Sequence, residues 1–100
     1  MTAELYRYHF IRKVTTEDIE SALLMAIWNC ESLHGEPQTR LDVAHFLDPA
    51  DCSCTIDAGT PVGRDLNRLF TGLMTREFGP DSFRIERVTN ENPQPQETAA

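Results

Sequence analysis

The stretch RLDVAHFLDPADCSCTIDA, residues 40–58, is the basis of the fold prediction. In it, two segments of alternating apolar and polar residues flank four residues whose composition is typical of a turn. Apolar and polar residues alternate over Arg40–Leu47 and again over Cys52–Ala58, and a period of two is typical of strands. Asp48–Asp51, with one proline and two acids, has the composition of a turn. The stretch therefore predicts a β-hairpin.

A helix over Thr39–Leu47 is the alternative to the first strand of this hairpin, because Leu41, Ala44 and Leu47 are also spaced by three residues. We favour the strand, since the turn and the second alternating segment supply a partner with which it can pair. Residues 40–47 are therefore predicted to be extended, with the helical alternative left open.

One helix and one strand are predicted on each side of the hairpin. Before it, an alternating segment spans Glu4–Val14, and a helical pattern with a capping hydroxyl and a terminal glycine covers residues 15–35. After it, a second capped helical pattern covers residues 60–79, and Ser82–Val88 alternates again. The order strand, helix, strand, strand, helix, strand predicts a ferredoxin-like βαββαβ two-layer sandwich of the α+β class.

By analogy with that fold, the four strands are expected to form an antiparallel sheet in the order 4-1-3-2, with both helices on one face. Residues 1–88 are predicted to form a single domain. Residues 89–100, TNENPQPQETAA, contain two prolines and no aliphatic side chain larger than alanine, so we predict a disordered C-terminal tail. The fold hosts many unrelated functions, so function has to be argued from particular sites.

Charge and cysteine content narrow the class of protein. The formal net charge is −7, which disfavours nucleic acid as a partner because phosphate neutralisation needs basic residues. No apolar run approaches the ~20 residues that a membrane span needs, and the start MTAELYRYHF lacks the features of a secretory signal. Three cysteines are an odd number, which argues against a secreted disulfide framework. We predict a cytoplasmic protein.

The hairpin brings two groups of chemically active side chains together. A four-residue loop makes Asp42 face Asp57, and like charges directly opposite each other raise the pKa of one carboxyl, as a general acid or base requires. The same register makes His45 face Cys54, with Cys52 beside them. A strand Cys-x-Cys lacks the chelating loop of zinc sites and no fourth ligand is evident, so we predict no metal and no cofactor.

The junction between the second hairpin strand and the following helix is a candidate anion-binding site. Gly59 and Gly63 permit close backbone approach, Thr60 caps the helix, and Arg64 and Arg68 add positive charge near its N-terminus. The spacing matches neither a P-loop nor a dinucleotide fingerprint. A small-molecule or enzymatic site here is therefore the alternative hypothesis, and we assign no catalytic residue.

The first helix carries apolar residues on two faces. At about 100° per residue, Leu24, Met25 and Trp28 fall opposite the stripe that should be buried. A contiguous apolar patch on a solvent face indicates a partner, and tryptophan and methionine are enriched at interfaces. We therefore predict a small protein-interaction or assembly domain that self-associates as a homodimer, or else binds an unidentified protein, through this patch or the open face of the sheet.

Overall fold

The computed structural model describes residues 4–89, which form four strands, three α-helices and one turn of 3-10 helix. In chain order these are β1 (Glu4–Phe10), α1 (Thr16–His34), α2 (Glu36–Asp42), β2 (His45–Asp48), β3 (Ser53–Asp57), α3 (Pro61–Phe78), the 3-10 turn (Pro80–Ser82) and β4 (Phe83–Thr89). The four strands form one antiparallel sheet in the order β2-β3-β1-β4. That order is the expected 4-1-3-2 read from the opposite edge.

The α+β class and the four-stranded antiparallel sheet are confirmed, whereas the prediction of two helices is wrong. The described part of the chain contains a third helix, α2, between α1 and the hairpin. Thr89 ends β4, so it does not belong to a tail. The rest of the predicted disordered tail, residues 90–100, lies outside the described residues.

Local interactions explain why residues 36–42 are helical rather than extended. Pro37 occupies the first turn, where its missing N–H costs nothing. Two pairs four residues apart then stabilise the short helix: Arg40 and Glu36 form an ion pair at 2.9 Å, and Gln38 donates a hydrogen bond to Asp42 at 2.7 Å. Pro37 therefore belongs to α2 as well as marking the end of α1.

The alternation over Arg40–Leu47 predicted a strand, but its first three residues, 40–42, belong to helix α2. Leu41, which that pattern assigned to the buried face, is 79% exposed on α2. The helical alternative over Thr39–Leu47 is correct only as far as Asp42, and the extended segment begins at His45. Of the predicted first hairpin strand, residues 45–47 are extended, and β2 also includes Asp48.

The hairpin register differs from the prediction by two residues. Asp48 faces Ser53 across a loop of residues 49–52, so Leu47 faces Cys54 instead of Cys52, and His45 faces Ile56. A shift of two residues preserves which face each side chain points to, because the side-chain period of a strand is two. The loop has the predicted length of four residues but starts one residue later, and its last residue, Cys52, has a positive φ of 52°.

The ends of the two long helices are as predicted. The Thr15 hydroxyl accepts a hydrogen bond from the backbone N–H of Asp18, whose carboxylate accepts one from the Thr15 N–H, both at 3.1 Å. The Thr60 hydroxyl caps α3 by accepting from the Gly63 N–H at 2.9 Å. Each helix ends at a glycine with positive φ, which a residue with a side chain rarely adopts.

The core lies between the inner face of the sheet and helices α1 and α3. Tyr8 and Phe10 of β1 meet the ring of Phe70 edge to face, with centroids 5.0 and 6.2 Å apart. The buried Tyr8 hydroxyl forms hydrogen bonds with the side chains of Asn67 and Thr71. β1 is therefore an inner strand of the sheet whose aromatic side chains pack directly on α3.

Candidate functional site

The apolar residues that the helical period placed on the outer face of α1 are exposed in the structure. Leu24 is 47%, Met25 50% and Trp28 58% exposed, although all three are large and apolar. The inner face of the same helix is buried, with Ile19, Ala26 and Cys30 in the core. Helix α1 is thus apolar on both sides and covered on one.

Two of these three residues line different grooves that flank α1, whereas Trp28 lines neither groove. Met25 lines a groove against α3, which also contains Leu73, Phe78 and two acids, Asp18 and Glu77. Leu24 lines a groove against the edge strand β2. The residues predicted as one patch are therefore separated, with Leu24 and Met25 in different grooves and Trp28 exposed on the helix beside Leu24.

The groove between α1 and β2 has a volume of about 370 Å³ and a mostly apolar lining. The groove is lined by residues on one face of α1, spaced three and four apart, and by the edge strand: Glu20, Leu23, Leu24, Ile27, His45, Phe46 and Leu47. Glu20 is the one acid among them. Partial withdrawal of the His45 imidazole from water lowers its pKa, which favours the uncharged form of this ring in the groove.

Phe46 joins this groove to the open face of the sheet. Its side chain is 65% exposed, and it also lines a shallow hollow on the open face with Leu5 and Ala44. The apolar surface therefore continues from α1 around the edge strand to the uncovered side of the sheet. Phe46 was not predicted to be a site residue from the sequence. Because Phe46 and Leu47 are adjacent in one strand, they point to opposite faces of the sheet, and this alternation could have indicated an exposed Phe46.

The rest of the open sheet face is largely occupied by paired polar groups. His9 and Glu86 are 3.1 Å apart, and this hydrogen bond is the main cause of a lowered Glu86 pKa. The Arg7 guanidinium lies 3.5 Å from the Thr55 hydroxyl. These polar side chains form pairs across the open face. Exposed apolar surface is therefore more continuous around Phe46, at the β2 edge of the sheet, than on the rest of this face.

The predicted carboxylate pair does not form across the hairpin. Asp42 is the last residue of α2, where its carboxylate accepts a hydrogen bond from Gln38. Asp57 ends β3, and its carboxylate accepts the backbone N–H of Gly59 at 2.9 Å. The backbone of Asp57 bonds to Ala44, not to Asp42, because of the changed register.

The predicted juxtaposition of His45 with the two hairpin cysteines is also absent. Cys54 faces Leu47 and is fully buried, while Cys52 lies in the loop. Over residues 4–89, no three histidine, cysteine or acidic side chains are placed to hold a metal ion.

At the junction of β3 and α3, most of the candidate anion-binding groups already have partners within the chain. The N–H of Gly59 is donated to Asp57 and that of Gly63 to the Thr60 hydroxyl, each at 2.9 Å. Arg64 is exposed, and Arg68 lies 3.8 Å from a carboxylate oxygen of Asp65. Anion binding at Gly59, Thr60, Gly63, Arg64 and Arg68 stays a prediction. Two of the N–H donors that it requires, those of Gly59 and Gly63, form hydrogen bonds within the junction instead.

The comparisons with known proteins add no functional assignment. No protein-family model, curated protein or solved structure matches this chain. In the described part of the chain, neither long helix has an apolar stretch sufficient to cross a bilayer. The apolar surface formed by α1 and β2 is therefore the feature of the described residues that best indicates a function.

Proposed function

We propose that this chain is a small interaction domain of ferredoxin-like architecture, with one inserted helix, that self-associates through the surface formed by α1 and β2. The contact residues are Leu24 and Trp28 from α1 and Phe46 from β2. This surface is called the α1/β2 surface below. The function is assembly, in which the domain brings two copies together.

The observation that carries this proposal is the continuity of exposed apolar side chains across two separate elements. Leu24 and Phe46 line the same groove, and Trp28 lies one helical turn from Leu24. Burying large apolar side chains stabilises an association by ~25 cal/mol per Å² removed from water. Isolated exposed apolar residues are common on monomers, but a continuous set with tryptophan and phenylalanine is typical of the centre of an interface.

A second copy is the partner that the proposal favours. Homomeric two-fold dimers are the commonest soluble assemblies, and an apolar surface with a single acid in its groove can face itself without burying paired like charges. The groove between α1 and α3 is less suited to this, since Asp18 and Glu77 both line it.

A charge introduced on the α1/β2 surface is expected to weaken dimerisation, whereas the same charge elsewhere on α1 is not. For Leu24→Glu we expect a dissociation constant raised about 30-fold or more, since an unpaired carboxylate would be buried. Leu33→Glu is the matched control, because Leu33 is 65% exposed and lies on a different face of the same helix. Sedimentation equilibrium of both variants and the unaltered chain provides the constants.

Equal dissociation constants for Leu24→Glu and the unaltered chain would exclude the α1/β2 surface as the interface. Thermal unfolding of each variant at low concentration checks that the monomer fold is retained, which is expected because both leucines are substantially exposed.

Salt is expected to strengthen the association. Each copy carries a net charge of −7, so two copies repel at long range while the contact itself is apolar. Raising the salt concentration from about 0.01 M to about 0.15 M shortens the Debye length from ~30 Å to ~8 Å and screens that repulsion. The dissociation constant should fall several-fold in this range. A rise would indicate that attractive charge pairs, rather than apolar contacts, hold the copies together.

A further inference from the structure

The edge strand β2 has one free side. Among residues 4–89, β2 pairs with β3 alone, at one end of the sheet, and Pro49 follows its last residue directly. An edge strand presents backbone N–H and C=O groups that can pair with another strand. Which residues present them depends on the phase of the hydrogen bonds to β3.

That phase follows from one bond at the start of the hairpin. The N–H of Asp57 donates to the C=O of Ala44 at 3.0 Å, so Ala44 is in a hydrogen-bonded pair with Asp57. In an antiparallel ladder such pairs alternate with non-hydrogen-bonded ones. Phe46 therefore directs its backbone groups towards β3, whereas His45 and Leu47 direct theirs to the free edge.

We propose that β2 pairs antiparallel with β2 of a second copy about a two-fold axis at Phe46, which joins the two sheets into one of eight strands. This proposal rests on the proposed self-association and specifies its geometry. His45 faces Leu47 of the second copy, and Leu47 faces His45 of the second copy. All four outward N–H groups and all four outward C=O groups of these residues are then paired, giving four hydrogen bonds.

No neighbouring register pairs as many of the outward backbone groups of β2. Pairing His45 with itself, or Leu47 with itself, leaves the other residue opposite position 43 or 49. The N–H of Val43 is already donated to Thr39 at 2.9 Å, and Pro49 has no N–H. The register about Phe46 is thus the one in which both free residues are fully paired.

The side chains of β2 are self-complementary in this register. Phe46 lies beside Phe46 of the second copy on the open face, where an aromatic cross-strand pair is favourable. Asp48 lies opposite Ala44, so the acid of the strand does not face another acid. Since the axis is perpendicular to the sheet, both helical layers stay on one side, and the two α1 helices approach each other along Leu24 and Trp28.

The chain's own C-terminal segment is a poor occupant of this edge. Residues 90–100 follow β4, which lies at the opposite end of the sheet. Their sequence, NENPQPQETAA, contains two prolines and no aromatic or branched aliphatic residue. Proline cannot donate to a ladder, and these residues cannot fill an apolar groove.

The first test compares two substitutions of His45 in the full chain. His45→Pro removes an outward N–H at the first residue of an edge strand, a position that accepts proline. We expect its dimer dissociation constant to rise at least about tenfold, because two of the four interchain hydrogen bonds are lost by symmetry. His45→Ala keeps the N–H, and we expect a constant within about threefold of the unaltered chain.

The second test does not depend on a proline being accommodated. In Phe46→Cys the two introduced thiols lie directly opposite in a non-hydrogen-bonded pair, close enough for a disulfide. Mild oxidation should convert most of the chain to a covalent dimer. Ile85→Cys is the control, because Ile85 is 42% exposed on the other edge strand, β4, and should form little covalent dimer. Both variants carry Cys52→Ser, which removes the partly exposed native thiol.

The outcomes separate this proposal from the proposed function. A dimer weakened by His45→Pro but not by His45→Ala, with selective cross-linking at position 46, supports the pairing. A dimer that is equally strong in both His45 variants, or that cross-links equally at positions 46 and 85, overturns the pairing and leaves self-association intact. A chain that is monomeric at every concentration overturns both.

Discussion

Replacing Gly63 by alanine is expected to lower the free energy of unfolding by ~3 kcal/mol or more. Gly63 is buried in the first turn of α3, and a Cβ placed there lies 2.1 Å from the backbone oxygen of Asp57 and 3.2 Å from the Cα of Ala58. Both obstacles are backbone atoms of the β3–α3 junction, which cannot move aside as a flexible side chain does. The substitution therefore forces α3 away from the end of β3.

Gly72→Ala in the same helix is the matched control. Apart from its chain neighbours and the nearby backbone of α3 itself, no atom of the described residues lies within 4 Å of a Cβ at this exposed position, so the added methyl is not obstructed. We expect an increase in stability of ~0.5–1 kcal/mol, because alanine loses less conformational freedom than glycine on forming a helix. Urea unfolding of the two variants measures both effects, and similar values of either sign would contradict the packing described for Gly63.

The second large effect is expected from alkaline pH. Burial raises the pKa of the Cys54 thiol from 9.0 to about 12, and burial of Tyr8 raises the pKa of its phenol from 10.0 to about 12. Both groups bind their proton more tightly in the folded than in the unfolded chain. Their contribution to stability is complete below pH 9 and is lost as the pH rises towards 12.

The expected profile has two parts. The free energy of unfolding should fall by ~1.4 kcal/mol per pH unit for Cys54 above pH 9, and about twice as steeply once Tyr8 ionises in the unfolded chain above pH 10. Urea unfolding under reducing conditions between about pH 7 and pH 11 measures this profile. Tyr8→Phe should remove the additional slope above pH 10, while its loss of hydrogen bonds to Asn67 and Thr71 lowers stability at every pH.

A flat profile between pH 9 and pH 11 would contradict the burial of these two groups. A profile that is unchanged in Tyr8→Phe would instead assign the slope to other residues. Cys30, whose pKa is also raised by burial, contributes with the same sign as Cys54 and does not alter this comparison.

The elements that local chemistry specifies were predictable from the sequence. Thr15 and Thr60 supply capping hydroxyls, Gly35 and Gly79 supply helix ends, and the helices between them follow. The alternation over Glu4–Val14 correctly predicted strand β1, although the strand ends at Phe10. These signals depend on residues close in sequence, so no tertiary information was needed to read them.

Helix α2 was not predictable in the same way, because its sequence satisfies two periods at once. Leu41 fits the alternation of a strand, and the pairs that favour the helix, such as Arg40 with Glu36, are weak surface interactions. The register error has a different origin. A loop of four residues was assumed to start at Asp48, whereas the strand includes Asp48 and the loop starts one residue later.

The candidate site was only half predictable. Helical geometry alone placed Leu24, Met25 and Trp28 on the outer face of α1, and all three are exposed. That Leu24 shares a groove with Phe46 depends on how α1 packs beside the edge strand, which no local pattern encodes. The same limit applies to Asp42 and Asp57, whose predicted pairing required a register set by tertiary contacts.

The molar mass of the full chain over a dilution series tests the proposed self-association most directly. The chain mass is 11.3 kDa, so we expect a mass near twice that value at high concentration and a decline towards 11.3 kDa on dilution. In Leu24→Glu the decline should begin at a concentration about 30-fold higher or more. A mass of 11.3 kDa at every concentration up to about 1 mM would contradict the proposed self-association.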